Sequence, residues 1–263
     1  MAIAFPFSER YQAGSSPVHR ADPRVKLAVT VAYVFAIAFT SVGAWPVLAL
    51  LALPVLAAIA LARLPTALVL RRSLLALPFV LAAVPLAFTK PGDTVFELPL
   101  LGWTASREGI EATATILAKS WLSVLAAVVL TAATPATDLV RALQGLHVPR
   151  LLTAVVFFTY RYLFTIGEEA GRLVRGRDSR SARLAGYRSG GSIPWRARVV
   201  GHMVGSLFLR SFERSERVYA AMQARGYDGE LRFLAERPLR RREVAVGILI
   251  VLYGLAVQAA ARV

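Results

Sequence analysis

The sequence contains no cysteine. That excludes a disulfide framework, a thiolate metal site and a cysteine nucleophile. Lysine is nearly as scarce: Lys26, Lys90 and Lys119 are the three present among 31 basic residues, so arginine carries the positive charge. The three histidines, His19, His147 and His202, are widely spaced and lie beside no carboxylate cluster, so they read as surface or interfacial residues rather than metal ligands. No G-x-x-x-x-G-K-[ST] run occurs, and Gly186, Gly190 and Gly191 form no phosphate loop, so the chain cannot be its own ATPase. A membrane-embedded transferase would want clustered aspartates or a His–carboxylate pair, and neither is found. Internal repeats and paired acidic residues within apolar runs, the marks of a secondary transporter, are also missing.

What is present is apolar surface and arginine. The 263 residues are 56% hydrophobic with a net charge of +15, and the mean hydropathy is +0.55. A soluble domain is rarely so apolar, and a pure membrane bundle is rarely so basic. Such charge suggests nucleic acid first, but in a membrane protein the rule that Arg collects in cytoplasmic loops accounts for it, and no nucleic-acid partner is expected. Met1 to Arg20 has no long apolar run and contains Pro6, Glu9, Arg10, Gly14 and Pro17, which does not read as a signal peptide.

Five apolar segments read as spans: Leu27 to Val42, Trp45 to Ala62, Ser73 to Thr89, Ile110 to Thr134 and Val244 to Ala261. Gly43 and Pro46 mark a tight turn between the first two. Pro78 and Pro85 fall inside the third, where neighbouring helices can re-satisfy the freed carbonyls. Basic residues flank the start of the first span (His19, Arg20, Arg24, Lys26) and the second connection (Arg63, Arg71, Arg72). The connection from Lys90 to Gly109 is nearly neutral. This alternation places the N-terminus inside and the 90–109 loop outside. Leu151 to Ile166 is apolar but carries Arg161 and is followed by Glu168-Glu169. It reads as a helix along the interface, which leaves five spans and a C-terminus outside. Lys119, alone within a span, reads as a snorkelling or interhelical hydrogen-bonding group.

From Gly171 to Glu243 there are 17 Arg, no Lys and 7 Asp or Glu. An insert so basic cannot be lipid-embedded and must lie on the cytoplasmic side. Glu168 to Leu184 reads as one helix, Tyr187 to Pro194 as a loop, and Met203 to Ala224 as a second helix. That second helix is closed by Gly226 at C′, with Arg225 at its negative end. Asp22-Pro23 reads as a helix start, Asp at N-cap and Pro at N1.

These residues carry a resemblance. His19 to Leu27 (HRADPRVKL) resembles the Asp-Pro-Arg-x-Lys-Leu start of the transmembrane T component of energy-coupling factor (ECF) transporters. Gly205 to Gly229 (GSLFLRSFERSERVYAAMQARGYDG) and Arg161 to Leu173 (RYLFTIGEEAGRL) are similar to its cobalt and nickel branch, the CbiQ-like proteins. The resemblance implies an all-α, polytopic membrane protein of about five transmembrane helices with a cytoplasmic module of long coupling helices. Helices 1 to 4 would occupy residues 1–134, the coupling module 135–243 and the last span 244–263. It implies a non-catalytic subunit of an ABC-type importer in the bacterial inner membrane. The partners would be two cytoplasmic ABC-type ATPases and a substrate-binding membrane S component. This chain would bind no cofactor, ATP being used by the ATPases.

In the family each coupling helix ends in an Ala-Arg-Gly motif that docks in an ATPase groove. The second motif stands intact as Ala224-Arg225-Gly226; the first falls at Ser179-Arg180-Ser181, where both residues flanking the Arg differ. Asp22, Pro23, Arg24 and Lys26 would form a structural motif supporting those helices. Cobalt or nickel is the implied substrate. A T component for another micronutrient such as a vitamin, or a membrane-embedded transferase, are the alternatives.

Overall fold

The computed structural model describes residues 11–91, 93–98, 103–180, 192–229 and 239–260. Among the described residues the secondary structure is helical except for one short hairpin. Its elements are α1 (Pro17–Arg20), α2 (Pro23–Ala38), α3 (Trp45–Ala62), α4 (Thr66–Ser73), a 3-10 turn (Leu74–Ala76), α5 (Leu77–Ala83), α6 (Leu86–Thr89), strands β1 (Thr94–Leu98) and β2 (Trp103–Ser106), α7 (Arg107–Ala133), α8 (Ala136–Gly145), α9 (Arg150–Arg180), α10 (Ile193–Ala224) and α11 (Arg241–Ala260). The chain divides into two compact units: residues 10–146 with 235–263, and residues 147–234 with the first nine.

Among the described residues of the first unit, four helical stretches are long and apolar enough to cross a membrane: Trp45–Ala62, Thr66–Thr89, Arg107–Ala133 and Arg241–Ala260. The expected first span is α2, which stops at Ala38 rather than Val42 and has 16 residues, about 24 Å of helix. Its position against α7 explains the early stop. The Lys26 ammonium near the start of α2 donates to the Ala133 carbonyl at the far end of α7 (3.2 Å), while Lys119, midway along α7, donates to the carbonyls of Ala38 (3.4 Å) and Thr40. Gln258 of α11 donates to the Ala36 carbonyl (2.6 Å) and the Thr40 hydroxyl (2.7 Å). The carbonyls freed where α2 ends are thus supplied with donors by two neighbours, the condition for ending a helix away from water.

The turn from α2 to α3 follows. Gly43 has φ +80° and donates its N–H to the Thr115 hydroxyl (3.2 Å). A Cβ at Gly43 would also overlap the Glu111 carboxylate, so both conformation and space call for glycine. Ile37 and Leu51, both fully buried, join Tyr33, Val55, Leu122, Ala126 and Val257 in the core between α2, α3, α7 and α11. The outer surface of the unit carries large exposed apolar side chains such as Phe35, Phe39, Leu53, Leu56, Leu81 and Leu249, as a lipid-facing bundle requires.

The third span is one apolar stretch but not one helix. α4 tightens into the 3-10 turn, and α5 is separated from α6 at Val84–Pro85. Pro78 and Pro85 each remove a backbone donor, which accounts for the breaks. The 90–109 connection holds the antiparallel hairpin, with Leu98 opposite Trp103. Ser106 then caps α7, its hydroxyl accepting the Gly109 N–H (3.0 Å) and donating to the Lys90 carbonyl (2.6 Å).

In the second unit, the expected interfacial segment Leu151 to Ile166 and the expected helix from Glu168 are a single 31-residue helix, α9, about 46 Å long. Gly167 is the sole residue of low helix propensity at the junction and no proline interrupts it, so nothing stops the helix where the polarity changes. The second helix, α10, begins at Ile193, with Pro194 in its first turn, ten residues ahead of the expected Met203.

Candidate functional site

The Asp22 to Lys26 segment is a clasp built on the start of α2. The buried Asp22 carboxylate accepts the Arg24 N–H (2.8 Å), which makes it the N-cap, and Pro23 occupies N1. The Asp22 N–H donates to the Glu243 carboxylate in the first turn of α11 (2.8 Å). The Arg24 guanidinium lies against Gly145, the last residue of α8, so closely that a Cβ there would overlap it. A cation suits that position because unsatisfied carbonyls gather at a helix C-terminus. Gly145 and Glu243 are near the points where the chain leaves this unit and returns to it. The motif therefore brings those two points together at the foot of α2. Neither Gly145 nor Glu243 was singled out from the sequence; an acidic residue in the first turn of a helix was the signal for the second.

Ala224, Arg225 and Gly226 lie at the C-terminus of α10. Gly226 has φ +81°. Its N–H donates to the Gln223 carbonyl (2.9 Å), and the Tyr227 N–H donates to the Met222 carbonyl (3.0 Å). These two bonds make a Schellman motif with Arg225 as the C-cap residue. The cap is made by backbone alone. The Arg225 side chain is exposed and, among the described residues, is held by no hydrogen bond or ion pair. Ser179 and Arg180 are the last residues of α9, both exposed, with the Ser179 hydroxyl turned back to the Gly176 carbonyl (3.0 Å). Ser181 lies outside the described residues.

One carboxylate ties the two long helices together. Glu169 on α9 pairs with Arg172 one turn along, with Arg210 on α10 (3.1 Å) and with Arg214 on α10 (3.8 Å). Hydrogen bonds from Arg172 and Arg210 hold its carboxyl below the usual carboxylate range, and the Arg172 guanidinium is pushed up in return. In the sequence Glu168-Glu169 reads as charge after an apolar run and as part of the Arg161 to Leu173 resemblance, not as a contact to the second helix. The signal was a carboxylate three residues before Arg172, inside a segment otherwise rich in arginine. Among the described residues no three His, Asp or Glu side chains gather as a metal-ion group.

A family model described as CbiQ, cobalt transport protein, matches residues 14–234. The chain belongs to this family. It is the T component of an ECF transporter of the CbiQ-like type, a transport subunit rather than a catalytic enzyme. Among relatives, the energy-coupling factor transporter transmembrane protein EcfT of Limosilactobacillus fermentum is 29% identical over 248 residues, 90% of each chain. The protein of the same description from Acidaminococcus fermentans is 29% identical over 259 residues, 95% of this chain and 92% of the relative. The cobalt transport protein CbiQ of Rhodobacter capsulatus is 30% identical over 105 residues, 40% of each chain. The CbiQ family match takes in Asp22 to Lys26, Gly145, the Glu169 crossing and the Arg225 cap, and ends before Glu243.

Proposed function

We propose that this CbiQ-family chain is the membrane scaffold and coupling subunit of an ECF-type ABC importer for cobalt or nickel. It transmits ATP-driven motion of two cytoplasmic ABC-type ATPases to a membrane S component that binds the substrate. It sits in the bacterial inner membrane as a multi-pass protein with its N-terminus and coupling helices in the cytoplasm. Residues 1–134 and 244–263 cross the membrane and 135–243 form the coupling module. The chain binds no cofactor of its own; ATP is spent by the partners.

The observation that supports this most is the end of α10. A Schellman cap presents an unengaged arginine at the tip of a 32-residue helix. A guanidinium so placed offers a rigid fork of donors to a carboxylate or to backbone carbonyls. Arg225 and Arg180 are then mechanical anchors, and Asp22, Pro23, Arg24 and Lys26 fix the membrane end of the linkage. Cobalt rests on the description of the family and of the Rhodobacter relative, and nickel on the branch resemblance alone.

The test is co-expression with the ABC ATPases encoded beside the gene, followed by detergent pull-down. Arg225→Ala is expected to weaken ATPase retention by about thirtyfold, the equivalent of about 2 kcal/mol for a desolvated arginine anchor. Arg180→Ala should weaken it less, and the double charge reversal Arg180→Glu with Arg225→Glu should abolish it. A doubly reversed chain that still co-purified its ATPases and transported normally would sink the reading.

A further inference from the structure

The cleft between α9 and α10 carries a second kind of chemistry, independent of ATPase coupling. Its volume is about 260 Å³, and Phe158, Tyr162 and Ile166 of α9 and Arg210 and Arg214 of α10 line it. We propose that it binds the headgroup of an anionic phospholipid, the phosphate on Arg210 and Arg214 and the glycerol and acyl portion along α9.

Three observations carry this. First, the cationic side is not neutralised. Arg172, Arg210 and Arg214 meet a single carboxylate, Glu169. Each guanidinium has five N–H donors and the carboxylate only two oxygens, so most donors are unspent. Arg214, at 3.8 Å, is an ion pair of Glu169 without being a hydrogen-bond donor to it. Second, the two serines of the rim are turned away. The Ser211 hydroxyl donates to the Leu207 carbonyl and the Ser215 hydroxyl to the Phe212 carbonyl, both at 2.7 Å, so among the α10 side chains of the cleft the arginines are left to meet an anion.

Third, the apolar floor continues out of the cleft. Leu151, Val155, Phe158, Tyr162 and Ile166 recur at helical spacing and share one face of α9, which ends at Glu169. Leu151 is 74% exposed and Val155 53%. An apolar track that runs into a cationic rim is complementary to an amphiphile. A free phosphate would use the rim and have no use for the track.

The full chain is placed in nanodiscs of equal phosphatidylglycerol and phosphatidylcholine, released, and its retained lipids are counted by native mass spectrometry. Wild type is expected to retain phosphatidylglycerol preferentially. Arg210→Gln with Arg214→Gln should reduce that retention about tenfold or more, because two charge-assisted contacts are lost. Arg172 stays paired with Glu169 in this variant, so the carboxylate is not stranded. Arg198→Gln with Arg217→Gln removes the same charge from exposed positions that do not line the cleft and should leave retention unchanged. Equal retention of the two lipids, or equal loss in both double variants, overturns the proposal. Complete displacement by excess inorganic phosphate also overturns it, since the ligand is then a free anion.

Discussion

At the scale of single residues, Gly226 and Gly145 do different work. A Cβ at Gly226 meets nothing within 4 Å, so Gly226→Ala costs only the positive φ, roughly 1 kcal/mol. The expected result is a frayed end of α10 and ATPase retention reduced about fivefold, with membrane insertion unchanged, read by pull-down and by membrane fractionation. At Gly145 the obstacle is a side chain that can move. Gly145→Ala should expel the Arg24 guanidinium and lower the detergent melting temperature by several degrees, on the order of 1–2 kcal/mol for a lost helix-end contact. Arg24→Ala should lower it about equally, and the two changes together no further, because they remove the same contact. The cap at Asp22 and the cap at Gly226 were both legible in the sequence, since capping depends on residue type at fixed positions. The contacts from Asp22 to Glu243 and from Arg24 to Gly145 span more than a hundred residues, and no local pattern announces them.

At the scale of elements, α2 shows why hydropathy finds a span but not its end. Phe39 and Val42 are as apolar as the residues before them, so the run reads on to Val42. The helix stops at Ala38 because Lys119 and Gln258 offer donors there. Of the two roles expected of Lys119, snorkelling or an interhelical hydrogen bond, the structure has the hydrogen bond. Lys119→Met should leave the Ala38 and Thr40 carbonyls unpaired and cost about 1–3 kcal/mol, measured as a fall in melting temperature in detergent.

In α9 the reverse holds: the polarity changes between Ile166 and Glu168, but nothing in the backbone chemistry ends the helix there. Its tie to α10 is titratable. The Glu169 carboxyl lies below its ordinary range, so its contribution is fully present above that range and is lost as pH falls through the depressed value. Arg172 is held above its ordinary range and stays charged throughout. Gly176 and Gly205 have open space around them and accept cysteine in a chain that has none. Spin labels at these two positions should give an unchanged distance distribution from about pH 9 to 6 and a broader one below the ordinary carboxylate range, near pH 4. Glu169→Gln should give the broad distribution at neutral pH.

At the scale of the whole molecule, the alternation of basic and neutral connections predicts sidedness. An impermeant maleimide should label Asp93→Cys in intact cells and Gly205→Cys only after the membrane is opened. Labelling of Gly205→Cys in intact cells would reverse the orientation. The five apolar segments and the basic module were readable because burial in lipid and charge near a membrane act on composition. The pairing of β1 with β2 was not: it is set by two short runs meeting each other, in a stretch whose charge alone reads as a neutral loop. The Glu169 contact also has a geometric consequence. From Arg210 to Arg225 is about 22 Å of helix and from Arg210 back to Ile193 about 26 Å, whereas Glu169 divides α9 into arms of about 29 and 17 Å. With that contact as fulcrum, α10 is a balance of nearly equal arms that returns a displacement at its full size and opposite sign. α9 would be a lever of unequal arms, a short stroke at Arg180 giving one about 1.7 times longer, and correspondingly weaker, at Arg150.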